Sequence, residues 1–166
     1  MGWVLRRLEE LDEALQRRPP HRLLGAGSIH ASTIEGGIEL STYPDRCSLR
    51  AERRTLPGET EEDVAREARE LLGDLEGEAR VAFFREPFEV AEEEEIVRIV
   101  SATAGGPEVV GVPFWADSAL LARAGIPTVV YGPSGEGAHA AVEWVDVASA
   151  ERCAAVYAAV ARQFCT

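Results

Sequence analysis

One short stretch of this sequence gathers the donor types that metals prefer: His139, then Glu143 four residues on and Asp146 three more. Imidazole nitrogen and carboxylate oxygen both bind zinc, so His139 and Glu143 outline part of a metal site. The spacing alone leaves another reading open, in which Glu143 and Asp146 serve a helix start and the surface. Zinc catalysis uses three protein ligands and an open position, and one histidine supplies only the first. Its setting is nevertheless suggestive. His139 closes the run Gly135-Glu136-Gly137-Ala138 after an apolar stretch. Loops beyond the ends of strands are where α/β proteins place functional groups. His21 lies in a Pro-Pro-His-Arg linker and reads as a solvated loop residue. His30 falls in a strand-like run and reads as a surface or half-buried polar residue.

Other charged residues admit two roles each. Arg53 and Arg54 end a strand-like run. They are surface charge, or a clamp for a substrate carboxylate, which the guanidinium fork grips well. Glu92 to Glu95 form an unbroken acidic run. Paired glutamates can act as base and ligand, but a run of like charge reads as a solvated helix start favoured by the helix dipole. The glycine turns match no dinucleotide-binding or phosphate-loop pattern. No serine sits in a nucleophile elbow, and no cysteine has an activating histidine beside it in sequence.

Composition narrows the classes. The chain has 166 residues, 46% of them hydrophobic, with a net charge of −12. That suits one domain or two small ones. The acidic balance argues against nucleic acid and anionic membrane surfaces as partners. Cys47, Cys153 and Cys165 lack metal-ligand or redox spacing and read as reduced thiols of a cytoplasmic protein. No apolar run reaches the length of a membrane span, and the start MGWVLRRLEE has no signal-type apolar core.

The elements that must position these groups alternate in type. Val4, Leu8, Leu11 and Leu15 predict a helix that Pro19-Pro20 stops. Strands are expected over 28–34 and 46–54, the second from the alternation of Cys47, Leu49 and Ala51 with polar neighbours. Pro57-Gly58 marks a turn. Thr60 with Asp63 forms a capping box for a helix ending at Gly73. Further strands are expected over 79–85, 109–112 and 128–131, and helices over 95–103, 118–124 and 149–164. A boundary falls near Pro87. The fold class is α/β.

Two blocks of sequence add a resemblance. The first is Leu23-Leu24-Gly25-Ala26-Gly27-Ser28-Ile29-His30-Ala31-Ser32-Thr33-Ile34-Glu35-Gly36-Gly37, then Tyr43-Pro44-Asp45-Arg46-Cys47-Ser48-Leu49 and Glu52-Arg53-Arg54-Thr55-Leu56-Pro57-Gly58-Glu59-Thr60. The second is Trp115-Ala116-Asp117-Ser118-Ala119-Leu120-Leu121, Gly125-Ile126-Pro127-Thr128, Gly132-Pro133, Ala138-His139 and Glu143-Trp144-Val145. In this order they resemble the C-terminal half of the zinc metallopeptidase and amidohydrolase family. That family includes acetylornithine deacetylase, succinyl-diaminopimelate desuccinylase, aminoacylase and bacterial glutamate carboxypeptidase.

The resemblance implies a ferredoxin-like dimerisation lid over residues 1–87, lacking its first strand, and the C-terminal part of the catalytic domain over 88–166. It implies zinc as cofactor, with His139 as a ligand and Glu143 supporting that loop from behind. Arg54 would bind the substrate carboxylate or the developing oxyanion. The implied reaction is metal-assisted hydrolysis of a small-molecule amide such as an N-acyl amino acid. The family's other ligands and its general-base glutamate have no counterpart in these residues, so no catalytic residue is assigned within the chain. Ala140, Ala141 and Val142 stand where the family carries Thr and Asp, and Ser41 where it carries Asn. The chain is expected to be a fragment or subunit, inactive alone. Its expected partners are a second copy bound through the lid and a separate N-terminal catalytic chain. The alternative is a non-catalytic dimerisation or binding protein derived from the same fold.

Overall fold

The computed structural model describes residues 1–165. The chain divides into two compact units, Met1–Pro87 with Gly111–Trp115, and Phe88–Val110 with Ala116–Thr166. The architecture is mixed α/β, with two small antiparallel sheets.

In the first unit, α1 spans Gly2–Arg17 and buries Leu8 and Leu15, two of the helically spaced apolar positions. It ends where Arg18 turns extended, with ψ 153°. Pro19 follows, and a proline disfavours the helical conformation for the residue before it. Strands β1, Ser28–Gly36, and β2, Cys47–Arg54, pair from Ser28↔Arg54 to Gly36↔Cys47. The register shifts between Ala31 and Thr33, which leaves Ser32 as an extra residue in β1. One sheet face packs on α1, where Leu8, Leu15 and Ile29 form the core with Leu11, Leu49 and Leu71 against it. Polar side chains of α1 also hold the start of β1. Asp12 Oδ1 accepts from Ile29 N at 2.9 Å, and Gln16 Nε2 donates to Gly27 O at 3.1 Å.

Helix α2, Glu61–Leu72, begins with the capping box that Thr60 and Asp63 predict. Each satisfies a backbone or side-chain donor that the first helical turn would leave unpaired. At its other end, Arg7 Nη1 donates to the carbonyls of Leu71 and Leu72 at 3.1 and 2.6 Å.

The second unit contains α3 (Glu95–Thr103), α4 (Ser118–Arg123), the two-residue strands β3 (Gly135–Glu136) and β4 (Trp144–Val145), and α5 (Val147–Phe164). Helices α3 and α5 pack together, and Val97, Val100, Ala119, Cys153 and Val156 are buried. Tyr131 and Tyr157 meet edge to face with ring centroids 6.0 Å apart, and the Tyr157 hydroxyl donates to Tyr131 O.

Three expected strands do not form. Residues 79–85, 109–112 and 128–131 make no strand ladder. Apolar alternation supplies only a tendency. A strand also needs a neighbour that pairs with its backbone donors and acceptors, and the described residues form no such ladder with these segments.

Candidate functional site

Arg54 is the last residue of β2 and is paired with Ser28 in the register. It lies on the sheet face away from the helices, and its side chain is 56% exposed. Its Nε lies 2.7 Å from Glu52 Oε1 on the same strand, and its Nη1 donates to Pro113 O at 3.1 Å. The two contacts spread the guanidinium toward two different oxygens. Glu52 also sits 3.8 Å from His30 Nε2, opposite it in the register. Beyond Arg54 the chain turns sharply. Glu59 N donates to Leu56 O at 3.0 Å, and Gly58 takes φ 90°. Proline then glycine at the two central positions is what a type II turn favours, because its third residue needs positive φ.

Arg53 is not surface charge, contrary to one of the two roles its sequence position allowed. Its side chain is only 5% exposed, and it is enclosed by carboxylates. Nε reaches Glu67 Oε2 at 2.9 Å and Nη2 reaches Glu59 Oε1 at 2.6 Å, while Nη1 donates to Arg54 O. Arg18 completes the network at 3.3 Å from Glu59 and 3.2 Å from Glu67. Glu59 Oε2 in turn accepts from Leu56 N at 2.7 Å. Burial works to lower the Arg53 pKa, but hydrogen bonds and attraction to Glu67 and Glu59 outweigh it and raise the value. The guanidinium therefore stays charged. The strand period carried this signal: Arg53 has the parity of Leu49, which packs against the core.

His139 lies in the loop of the β3–β4 hairpin, which pairs Gly135 with Val145 and Glu136 with Trp144. Ala140 N donates to Gly137 O at 2.7 Å, closing a turn with Ala138 and His139 at its centre. His139 has φ 64°, alone in positive φ among the described non-glycine residues. Glycines make the hairpin possible. A Cβ on Gly135 would lie 2.3 Å from Trp144 O, and one on Gly137 would lie 2.0 Å from Val142 O. His139 and Glu143 are both exposed on this loop. Asp146 takes the helix-start role: it caps α5 by accepting from Ser149 N at 2.7 Å. Glu92 to Glu95 stand exposed where α3 begins, as a solvated helix start requires. His21 departs from the solvated-loop reading. It is half-buried, and its Nδ1 accepts from Leu23 N and Leu24 N, both at 3.2 Å.

The sequence matches Peptidase family M20/M25/M40 over residues 8–163. The chain belongs to this family. It is also similar to an acetylornithine deacetylase of Myxococcus xanthus, with 30% identity over 166 residues, covering 95% of this chain and 41% of that protein. The chain thus spans less than half the length of that curated relative.

Members of the M20/M25/M40 family are hydrolases and generally metal-dependent. The donors of this M20 chain do not by themselves fit a metal ion. Among the described residues, no three His, Cys, Asp or Glu side chains come together to hold one. Arg54 lies in the first unit of the M20 chain, and His139 and Glu143 lie in the second. No helix of the described residues is long and apolar enough to cross a membrane.

Proposed function

We propose that residues 1–166 are the lid and C-terminal part of a zinc-dependent amidohydrolase that cleaves an amide such as that of an N-acyl amino acid. In this reading residues 1–87 are a ferredoxin-like dimerisation lid and 88–166 close the metallohydrolase domain. The observation that carries it is His139. A non-glycine residue in left-handed backbone is held there by surrounding structure at some conformational cost, and such residues concentrate at functional sites. The two glycines that let the hairpin close present this imidazole exposed in its loop.

His139 supplies one metal nitrogen, Glu143 supports its loop, and Arg54 grips the anionic group of the substrate. Bound zinc would supply Lewis acidity and an acidified water. The remaining ligands and the general base come from polypeptide outside residues 1–166, in the same chain or a separate N-terminal one. The relative's name, acetylornithine deacetylase, supports an N-acyl amino acid as the substrate class. Exposed Ile34, Ile38, Leu40 and Tyr43 on and beyond β1 offer an apolar surface to a second copy of the lid. Free thiols at Cys47, Cys153 and Cys165 suit a cytoplasmic enzyme.

The test supplies the missing catalytic portion together with this chain, strips the metal, and assays N-acetylated amino acids. Turnover that a chelator removes and zinc restores is expected, and His139→Ala should abolish it. Zinc-dependent turnover that is indifferent to His139→Ala would remove His139 from the metal site. Absence of turnover in every combination would favour the non-catalytic binding reading.

A further inference from the structure

We infer that Arg53, braced by Glu67 and Glu59, is a positioning residue that fixes Arg54 for its anion. This inference rests on the proposed role of Arg54. The network does more than pair charges, because it grips the backbone that carries Arg54. Arg53 Nη1 donates to Arg54 O, and Glu59 Oε2 accepts from Leu56 N at 2.7 Å. Glu59 is in turn tied to Arg53 at 2.6 Å. The segment from Arg54 to Glu59 is therefore tethered at its first residue, its middle and its last by one set of side chains. The turn Leu56-Pro57-Gly58-Glu59 stiffens it further.

Gly27 belongs to the same device. A Cβ there would lie 2.8 Å from Arg53 Nη1 and 3.0 Å from Arg54 O, inside the space the contact needs. Fold stability alone does not call for this arrangement. Arg53 occupies an inward strand position, and well-packed apolar residues in place of a buried ion pair are often neutral or stabilising. Charged groups here supply what apolar ones cannot, directed bonds to two backbone atoms beside Arg54. Arg54 itself is more than half exposed, and its guanidinium is held only at its tip, by Glu52 and Pro113 O. Its aim depends on the backbone it leaves from. Small misplacements of a binding group have large kinetic effects, since about 1 Å can cost on the order of a hundredfold.

A double-mutant cycle on the zinc-loaded enzyme with its complete ligand set decides the matter. The variants are Arg53→Lys, Arg54→Ala and the pair, read as kcat/KM. Lysine keeps the charge of Arg53 but cannot bridge Glu67, Glu59 and Arg54 O together. Arg53→Lys should lower kcat/KM about tenfold alone and not at all in the Arg54→Ala background, the signature of a residue acting through its neighbour. Equal loss in both backgrounds, or no loss in either, overturns the positioning role while leaving Arg54 in place. If Arg54→Ala itself leaves kcat/KM unchanged, the anion role of Arg54 fails and the positioning role falls with it. Should Arg53→Lys fail to fold, Glu67→Gln takes its place in the same cycle. It keeps the shape of the side chain and weakens its hold on Arg53.

Discussion

Arg53 Nε and Glu67 Oε2 meet at 2.9 Å with both side chains nearly sealed from water, 5% and 7% exposed. Such a pair is sensitive to losing one partner. A buried charge with its counterion removed keeps its desolvation penalty and loses the attraction that offset it. Glu67→Leu should therefore destabilise the first unit by about 3 kcal/mol, the lower end of the range for broken buried pairs, because Glu59 still serves Arg53. Arg53→Met added to Glu67→Leu should recover part of that loss by removing the stranded charge. Urea midpoints of the three proteins check this. A midpoint for Glu67→Leu equal to that of the native protein would show that the pair contributes nothing.

The sequence made parts of this picture legible and hid others. The capping box of α2 was visible because Thr60 and Asp63 satisfy each other locally, within one turn. Helix α1 was visible because its apolar stripe and Pro19-Pro20 are both short-range signals. Arg53 was hidden because residue type argued for the surface while strand parity argued for the interior. Parity prevailed because Glu59 and Glu67, brought in by the turn and α2, gave the charge its partners. In the sequence the hairpin around His139 reads only as a glycine-rich turn. Strands of two residues give no periodicity, and the need for Gly135 and Gly137 comes from the carbonyls of Trp144 and Val142 across the loop. The segments 79–85, 109–112 and 128–131 read as strands from pattern alone, which says nothing about whether a neighbour exists to pair with.

Asp63 makes stability depend on acid. The Thr60 hydroxyl first, then Arg66 and the Thr60 backbone, hold its carboxyl down at about 2 from an ordinary 3.8. A depressed folded-state pKa means the ionised form is favoured by folding. That contribution is fully present above the unfolded value and is lost as pH falls from about 4 toward about 2. Asp63→Asn should flatten this limb of the stability curve while leaving the rest of the acid dependence intact. Thermal unfolding across that window for the two proteins tests it, and parallel curves would show that Asp63 gains nothing from its partners.

His139 separates strain from function. Left-handed backbone costs an ordinary L-residue roughly 1–2 kcal/mol, and glycine escapes that cost. At φ 64°, His139→Gly should be more stable than His139→Ala by about 1 kcal/mol, although both lack the imidazole. Neither should support zinc-dependent turnover in the reconstituted enzyme. Equal stability of the two variants would mean that the loop relaxes out of the left-handed region when histidine is removed.

Arg54→Lys separates anion recognition from folding. Arg54 Nε and Nη1 reach two different oxygens, Glu52 Oε1 at 2.7 Å and Pro113 O at 3.1 Å. That spread shows how the planar fork can grip two acceptors at once, and a lysine ammonium cannot copy it from one point. The side chain is 56% exposed, and exposed ion pairs contribute about 0–1 kcal/mol, so the substitution should leave the urea midpoint nearly unchanged. A hydrogen bond to a charged group is worth about 1.5–3 kcal/mol, so losing one should weaken inhibition by an N-acyl amino acid carboxylate by at least about tenfold. Inhibition constants on the reconstituted enzyme measure the second effect, and denaturation of the same preparations measures the first. A lost affinity at constant stability assigns Arg54 to the ligand. Unchanged affinity returns it to surface charge, and a fall in both quantities together would place its role in the fold.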